Sequence, residues 1–117
     1  MSKKVLVIDD DRTTTTLVSF LLKSNNIQAM VASDGEEGLA RVKAEQPDLI
    51  ILDVEMPKLD GYSFLNELKS SDHGRIPVMM LTSKESMRDL FRMEGVVDYF
   101  IKPIDSGKFL KRIREFF

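Results

Sequence analysis

The sequence predicts an α/β fold in which five short parallel strands alternate with five helices that cover the sheet on both faces. Strand-like and helix-like segments alternate through all 117 residues, the order that builds successive strand–helix–strand units. The runs Val5-Leu6-Val7-Ile8 and Leu49-Ile50-Ile51-Leu52 are continuously apolar, as strands buried on both faces are. The unexplained polar residues fall at the ends of such runs: Asp9 and Asp10, Asp53, Thr82 and Ser83, and Lys102. In an open parallel sheet, ligands bind at the carboxyl ends of the strands, where the strand order reverses.

The first strand is expected over 4–9. A helix follows over 12–24, with Leu17, Val18, Leu21 and Leu22 as its apolar face and Asp11 as its cap. The four threonines Thr13 to Thr16 are poor helix formers, but that face requires an early start. The second strand spans 28–32. Ser33, with Glu36 three positions on, reads as a capping box; its helix turns Leu39 and Val42 inward and ends before Pro47. The third strand spans 49–53 and leads into the loop 54–61. The third helix, over 62–70, carries Phe64, Leu65 and Leu68. A fourth strand (77–81), a fourth helix (85–93) and a fifth strand (97–101) follow. Asp105 or Ser106 caps a last helix with Phe109, Leu110, Ile113 and Phe116 on one side.

Composition narrows the function. Hydrophobic content is 43% and the formal charge −2, enough apolar material for a core. The basic residues are dispersed, which argues against a nucleic-acid footprint. No cysteine is present, so disulfides, thiolate nucleophiles and sulfur-ligated metals are excluded, in keeping with a cytoplasmic location. No apolar run reaches membrane-spanning length, and Met1-Ser2-Lys3-Lys4 leads directly into a strand. The single histidine, His73 in Ser71-Asp72-His73-Gly74, reads as a solvated turn residue.

The aspartates carry the chemistry. Three carboxylates near one point repel and lose hydration, so a cation must compensate. Oxygen-only ligands suit Mg²⁺ or Mn²⁺. The competing arrangement has Asp9, Asp10 and Asp53 capping strand ends and facing water separately. Lys102, between an apolar strand and Pro103, is either solvated or a fixed positive charge beside the acids. The Thr82 hydroxyl either donates to an anion at the sheet edge or caps the fourth helix. Taken jointly these groups suit phosphoryl transfer onto a protein carboxylate: Asp53 attacks phosphorus, Asp9 and Asp10 hold the metal, and Lys102 and Thr82 take phosphoryl oxygens. No Gly-rich phosphate loop is present, so a partner protein fits as phosphodonor better than a nucleotide does.

Over essentially its full length the chain resembles a receiver (CheY-like) domain of a two-component response regulator. The resemblance rests on Val5-Leu6-Val7-Ile8-Asp9-Asp10-Asp11, on Pro47-Asp48-Leu49-Ile50-Ile51-Leu52-Asp53 with Met56-Pro57 and Asp60-Gly61, on Met80-Leu81-Thr82-Ser83, and on Tyr99-Phe100-Ile101-Lys102-Pro103. It implies a flavodoxin-like, doubly wound sheet of strand order 2-1-3-4-5, with residues 1–117 forming one receiver domain. It implies Asp53 as phosphoacceptor and Asp9, Asp10, Asp53 and the Glu55 backbone carbonyl as ligands of Mg²⁺. By the same resemblance Thr82 is the switch hydroxyl, Lys102 the family's lysine and Tyr99 the switch aromatic, while Glu55 and Lys84 tune the lifetime of the phosphoryl group. The implied partners are a sensor histidine kinase or a histidine phosphotransfer protein, and a downstream protein or attached output domain. The face made by helix 4, strand 5 and helix 5 can also support a dimer.

Two departures stand out. Ser83 stands where the family usually carries a small residue, often Ala, after the switch hydroxyl; it is itself small and should be tolerated. The family's frequent Gly-Ala-Asp is replaced by Glu94-Gly95-Val96-Val97-Asp98, and the segment from Thr82 to Lys102 is short, so the fourth helix is expected to be short or displaced. Three functions compete: a phosphorylation-dependent switch, a degenerate receiver-like interaction module, and a Mg²⁺-dependent phosphatase working through an aspartyl intermediate. The full set of acids, hydroxyl and lysine argues against the second, and the lack of a cap domain against the third; a receiver releases phosphate by self-hydrolysis and is not a turnover enzyme. The ending Phe116-Phe117, with no polar finish, favours an excised receiver over a complete single-domain regulator.

Overall fold

A computed structural model describes residues 3–117; Met1 and Ser2, part of the expected lead into the first strand, lie outside the described residues. The elements are β1 (Lys4–Ile8), α1 (Arg12–Lys23), β2 (Gln28–Ala32), α2 (Gly35–Glu45), β3 (Leu49–Leu52), α3 (Gly61–Lys69), β4 (Val78–Thr82), a 3₁₀ turn (Glu85–Met87) running into α4 (Arg88–Met93), β5 (Asp98–Ile101) and α5 (Ser106–Phe116). The five strands form one sheet in the order β2-β1-β3-β4-β5, every pair parallel.

Side chains alternate across the sheet and build two cores. Leu6, Ile8, Ile50, Leu52, Val78 and Met80 face a layer that includes Val42, Phe64, Leu68 and Phe91 from α2, α3 and α4. Val5, Val7, Leu49, Ile51, Met79 and Leu81 face Val18 and Leu22 of α1 and Phe109 and Ile113 of α5. The central strands are therefore apolar at every position, and only their carboxyl ends can be polar.

Local chemistry accounts for the helix starts. Asp11, Asp34, Asp60 and Asp105 are N-caps, each accepting from a backbone N–H in the first turn. The expected capping box at Ser33 and Glu36 is shifted by one residue. Asp34 is the cap, and it is Glu37 that reaches back to the Ser33 N–H and hydroxyl. Asp is as good a cap as Ser, and the shift lets Gly35 lie against the Leu59 backbone, where a Cβ would stand 2.3 Å from the carbonyl oxygen. In α1 the buried stripe is Thr15, Val18 and Leu22, whereas Leu17 faces solvent. The threonine run is thus helical, with Thr15 taking the inward place expected for Leu17. No helix among the described residues is long and apolar enough to cross a membrane.

Phe109 is fully buried and packs edge-on to Phe100, with ring centroids 5.6 Å apart. Phe109→Ala is expected to cost about 3–5 kcal/mol of unfolding free energy in urea denaturation. Leu17→Ala should stay within about 0.5 kcal/mol of the parent.

Candidate functional site

The site is built where β1 and β3 end side by side. Ile8 is in register with Leu52, and the Asp53 N–H continues the ladder to the Ile8 carbonyl at 3.1 Å. That contact fixes the backbones of Asp9 and Asp53 as neighbours. Carboxylate oxygens of Asp9, Asp10 and Asp53 lie within 4.8 Å of one another. Asp9 and Asp53 are 3% and 7% exposed, whereas Asp10 faces solvent. The arrangement with three separately hydrated caps is thus excluded.

β5 delivers the cation. The Lys102 N–H donates to the Thr82 carbonyl at 2.9 Å, extending the β4–β5 ladder by one residue, and the Lys102–Pro103 peptide bond is cis. The Lys102 ammonium lies 2.8 Å from Asp9 Oδ2 and 3.3 Å from Asp53 Oδ2. Backbone donors fix the remaining oxygens: the Asp11 N–H donates to Asp9 Oδ1 at 2.9 Å and the Val54 N–H to Asp53 Oδ1 at 2.7 Å.

One ammonium does not balance three carboxylates. Burial pushes the Asp9 carboxyl up to about 6, against the lowering effects of the Lys102 and Asp11 hydrogen bonds, and the Asp53 charge adds to the rise. Burial works against the Lys102 charge as well, but its bonds to Asp9 and Asp53 and their charges outweigh that and raise its pKa. An all-oxygen donor set with uncompensated negative charge fits a hard divalent cation, Mg²⁺ or Mn²⁺. The acidic edge opens into a groove of about 730 Å³ running along α1, with Asp9, Asp10, Arg12 and Phe20 in its wall.

The remaining expected residues form a chain leading away from this edge. Thr82 is buried, and its hydroxyl oxygen accepts from the Lys84 N–H at 3.3 Å. It holds the turn after β4 and does not cap the fourth helix, whose 3₁₀ start at Glu85 has no side-chain cap. The Lys84 ammonium pairs with Glu55 at 2.9 Å. The Tyr99 hydroxyl donates to the Lys84 carbonyl. Tyr99 is only 5% exposed, further inside than a half-packed strand residue. α4 has six residues, as the short spacing from Thr82 to Lys102 implies. His73 lies in a turn, away from these groups, and its N–H donates to the Ser71 hydroxyl.

Two contributors were not foreseen. A Cβ on Gly61 would stand 2.3 Å from the Asp53 carbonyl oxygen and 2.9 Å from Val54 Cα, so only glycine lets the start of α3 lie against the backbone of the acidic edge. The pair Asp60-Gly61, a cap followed by glycine, carried that signal. Arg88 lies over the Tyr99 ring, its guanidinium carbon 5.7 Å from the centroid. An arginine contacting a ring across that distance leaves no pattern in the sequence.

Comparisons with known proteins agree with this geometry. The profile of the Response regulator receiver domain family matches residues 5–114. The alkaline phosphatase synthesis transcriptional regulatory protein PhoP of Bacillus subtilis is 38% identical over 97% of this chain, which spans 48% of PhoP. Protein PilH of Pseudomonas aeruginosa is 31% identical, with 94% of this chain and 93% of PilH aligned. Several other curated relatives are, like PhoP, about twice as long as the part this chain matches. Among solved structures, the chemotaxis response regulator CheY4 of Vibrio cholerae superposes with a TM-score of 0.90 at 28% identity over 100% of both chains.

The raised Asp9 pKa has two consequences. Without metal, the folded state holds an extra proton between the unfolded value of 3.8 and about 6. Stability from this group is therefore greatest below that window and is lost as pH rises through it; Asp9→Asn should flatten this part of the urea stability–pH profile. Metal binding requires the ionised carboxylate, so Mg²⁺ affinity measured by calorimetric titration should fall as pH drops through about 6.

Proposed function

Because the chain belongs to the response regulator receiver domain family, we propose that it is a phosphorylation-dependent switch in which Asp53 accepts the phosphoryl group. The observation that carries this is the convergence of Asp9, Asp10 and Asp53 within 4.8 Å, with the Lys102 ammonium against two of them. We read residues 1–117 as one receiver domain. As a receiver it is a signalling domain and not a turnover enzyme.

Asp53 is the nucleophile. An oxygen of its carboxylate attacks phosphorus, the phosphorus–nitrogen bond of a phosphohistidine breaks, and the imidazole nitrogen leaves with the electron pair. The donor is a sensor histidine kinase or a histidine phosphotransfer protein. Asp9, Asp10, Asp53 and the Glu55 carbonyl are the proposed ligands of Mg²⁺, with Mn²⁺ as a substitute. When bound, the ion neutralises charge between the entering carboxylate and the phosphoryl oxygens.

The chain's own groups do the rest. Lys102 holds Asp9 and Asp53 in place and is at hand for a phosphoryl oxygen once Asp53 carries the phosphoryl group as an acyl phosphate. The Thr82 hydroxyl accepts from the Lys84 N–H, which leaves its proton free to donate to another phosphoryl oxygen. That inward pull is passed to Lys84 and from there to Tyr99, the switch aromatic. Glu55 and Lys84 sit two residues beyond Asp53 and Thr82, and their ion pair stands across the path of an attacking water. The reading surface is the face of α4, β5 and α5, where Leu90, Met93 and Val97 are exposed. A downstream protein, an attached output domain or a second copy would bind there.

Incubation with acetyl phosphate and Mg²⁺ should give a covalent adduct by intact mass, and Asp53→Asn should abolish it. A parent chain that stays unlabelled would instead be an interaction module on the same fold. Glu55→Ala and Lys84→Ala should both load and both change the decay rate of the adduct by about 2- to 10-fold; unchanged decay in both would remove their tuning role.

A further inference from the structure

Tyr99 is buried among aromatic rings, but it is also covered by a cation that has no other evident task. Arg88 is the first residue of α4. A positive charge there opposes the helix dipole, so the helix does not call for it. Arg88 takes part in no ion pair among the described residues, and its Nε is buried without a hydrogen-bond partner. Its guanidinium is instead placed over the Tyr99 ring at 5.7 Å. Phe91 of the same helix also packs against that ring, with centroids 6.1 Å apart and planes tilted by 47°. Phe91 is in turn fixed edge-on by Tyr62 of α3 at 5.9 Å. The Tyr99 hydroxyl is tied to the Lys84 carbonyl.

We propose that Arg88 is a positioning residue that clamps the Tyr99 ring inward through a cation–π contact, and so sets how readily the β4–α4 segment adopts its site-facing arrangement. Two observations of geometry support it, and the electrostatics of the ring agree with them. The guanidinium Nε is buried without a hydrogen-bond partner, and the guanidinium lies over the ring. The ring is held at its hydroxyl end by the residue that also pairs with Glu55 beside the acidic edge. The Tyr99 phenol feels Arg88: burial raises its pKa, and the nearby guanidinium charge opposes that rise. A half-desolvated cation–π contact is stronger than an exposed one. Whatever favours the inward ring favours every ligand that requires it, and the coupling is reciprocal. The second part of the proposal, coupling to the acidic edge, rests on the reading of Asp53 as phosphoacceptor; the clamp itself does not.

The chain has no tryptophan and two tyrosines, so Tyr62→Phe keeps the aromatic packing and leaves Tyr99 as the only emitter. In that background, acrylamide quenching of tyrosine fluorescence is measured without metal or phosphoryl mimic, and binding of beryllofluoride in Mg²⁺ is then titrated. Arg88→Ala and the uncharged isostere Arg88→Met should both raise the quenching constant and weaken beryllofluoride binding by about 3- to 10-fold, while Arg88→Lys, which keeps the cation, should recover much of both. Urea midpoints identify any variant whose effect is loss of fold, and Arg88→Lys and Arg88→Met then decide. Quenching that is equal in Arg88→Met and the parent would overturn the clamp. Raised quenching with unchanged beryllofluoride affinity would overturn the coupling. If the parent fails to bind beryllofluoride, the phosphoacceptor reading fails, and the quenching series still decides the clamp.

Discussion

The structure turns on an imbalance of charge held at one edge of the sheet. Two carboxylates, Asp9 and Asp53, are almost fully removed from water and share one ammonium, while Asp10 adds a third negative charge beside them. Such a group is poorly stable by itself; the Asp9 carboxyl, pushed up to about 6, records the strain in chemical form. An arrangement of that kind persists in a folded chain because the backbone leaves it no alternative. Asp9 and Asp53 are consecutive with ladder residues on adjacent strands, and each has one oxygen bonded to a main-chain N–H. The edge is therefore suited to hold a divalent cation because of where the strands stop.

Strand order supplies the geometry. With β1 and β3 side by side, the acids meet directly; with β4 and β5 stacked outward from β3, Thr82 and Lys102 arrive from one side only. The Lys102 ammonium meets Asp9 and Asp53 at the sheet edge, 2.8 and 3.3 Å away. The side toward α1 remains open. One wall carries charge compensation and the hydroxyl; the other is open. This asymmetry follows from the reversal of strand order between β1 and β3 in a doubly wound sheet.

Much of this was legible in the sequence, for one physical reason. Central parallel strands are apolar throughout, so every polar residue in them marks an end, and the ends are where chemistry gathers. Asp9, Asp53, Thr82 and Lys102 could be picked out by that rule, and strand boundaries came within a residue. Helix faces were less legible. Leu17 was expected inside and lies in solvent, because Thr15 is small enough to take the buried position in the stripe with Val18 and Leu22. The cap at Asp34 was displaced by one residue, since Ser33 and Asp34 are both good caps and only the contact of Gly35 with Leu59 decides between them. Gly61 could be recognised as a turn residue but not as the point where α3 touches the Asp53 backbone. Arg88 was invisible, because a contact between the start of one helix and the middle of a following strand depends on how that helix is tilted, and periodicity says nothing about tilt.

The segment that was hardest to read is also the one best suited to move. α4 is six residues long and begins in a 3₁₀ turn without a side-chain cap, so it has little intrinsic stability and relies on packing. Its anchors are few and specific: Phe91 in the core, the guanidinium of Arg88 on Tyr99, and the turn at Lys84. Two of these three meet at a single ring, and the third holds that ring's hydroxyl. A change of charge at Asp53 has only to displace the Thr82–Lys84 turn for the whole group to be rearranged. The central strands β1, β3 and β4 are buried on both faces and have no comparable freedom. The stiffness that fixes the acids against one another therefore also confines the response to one short helix, and the exposed side chains Leu90, Met93 and Val97 lie on or beside that helix, where a small displacement changes what a partner meets.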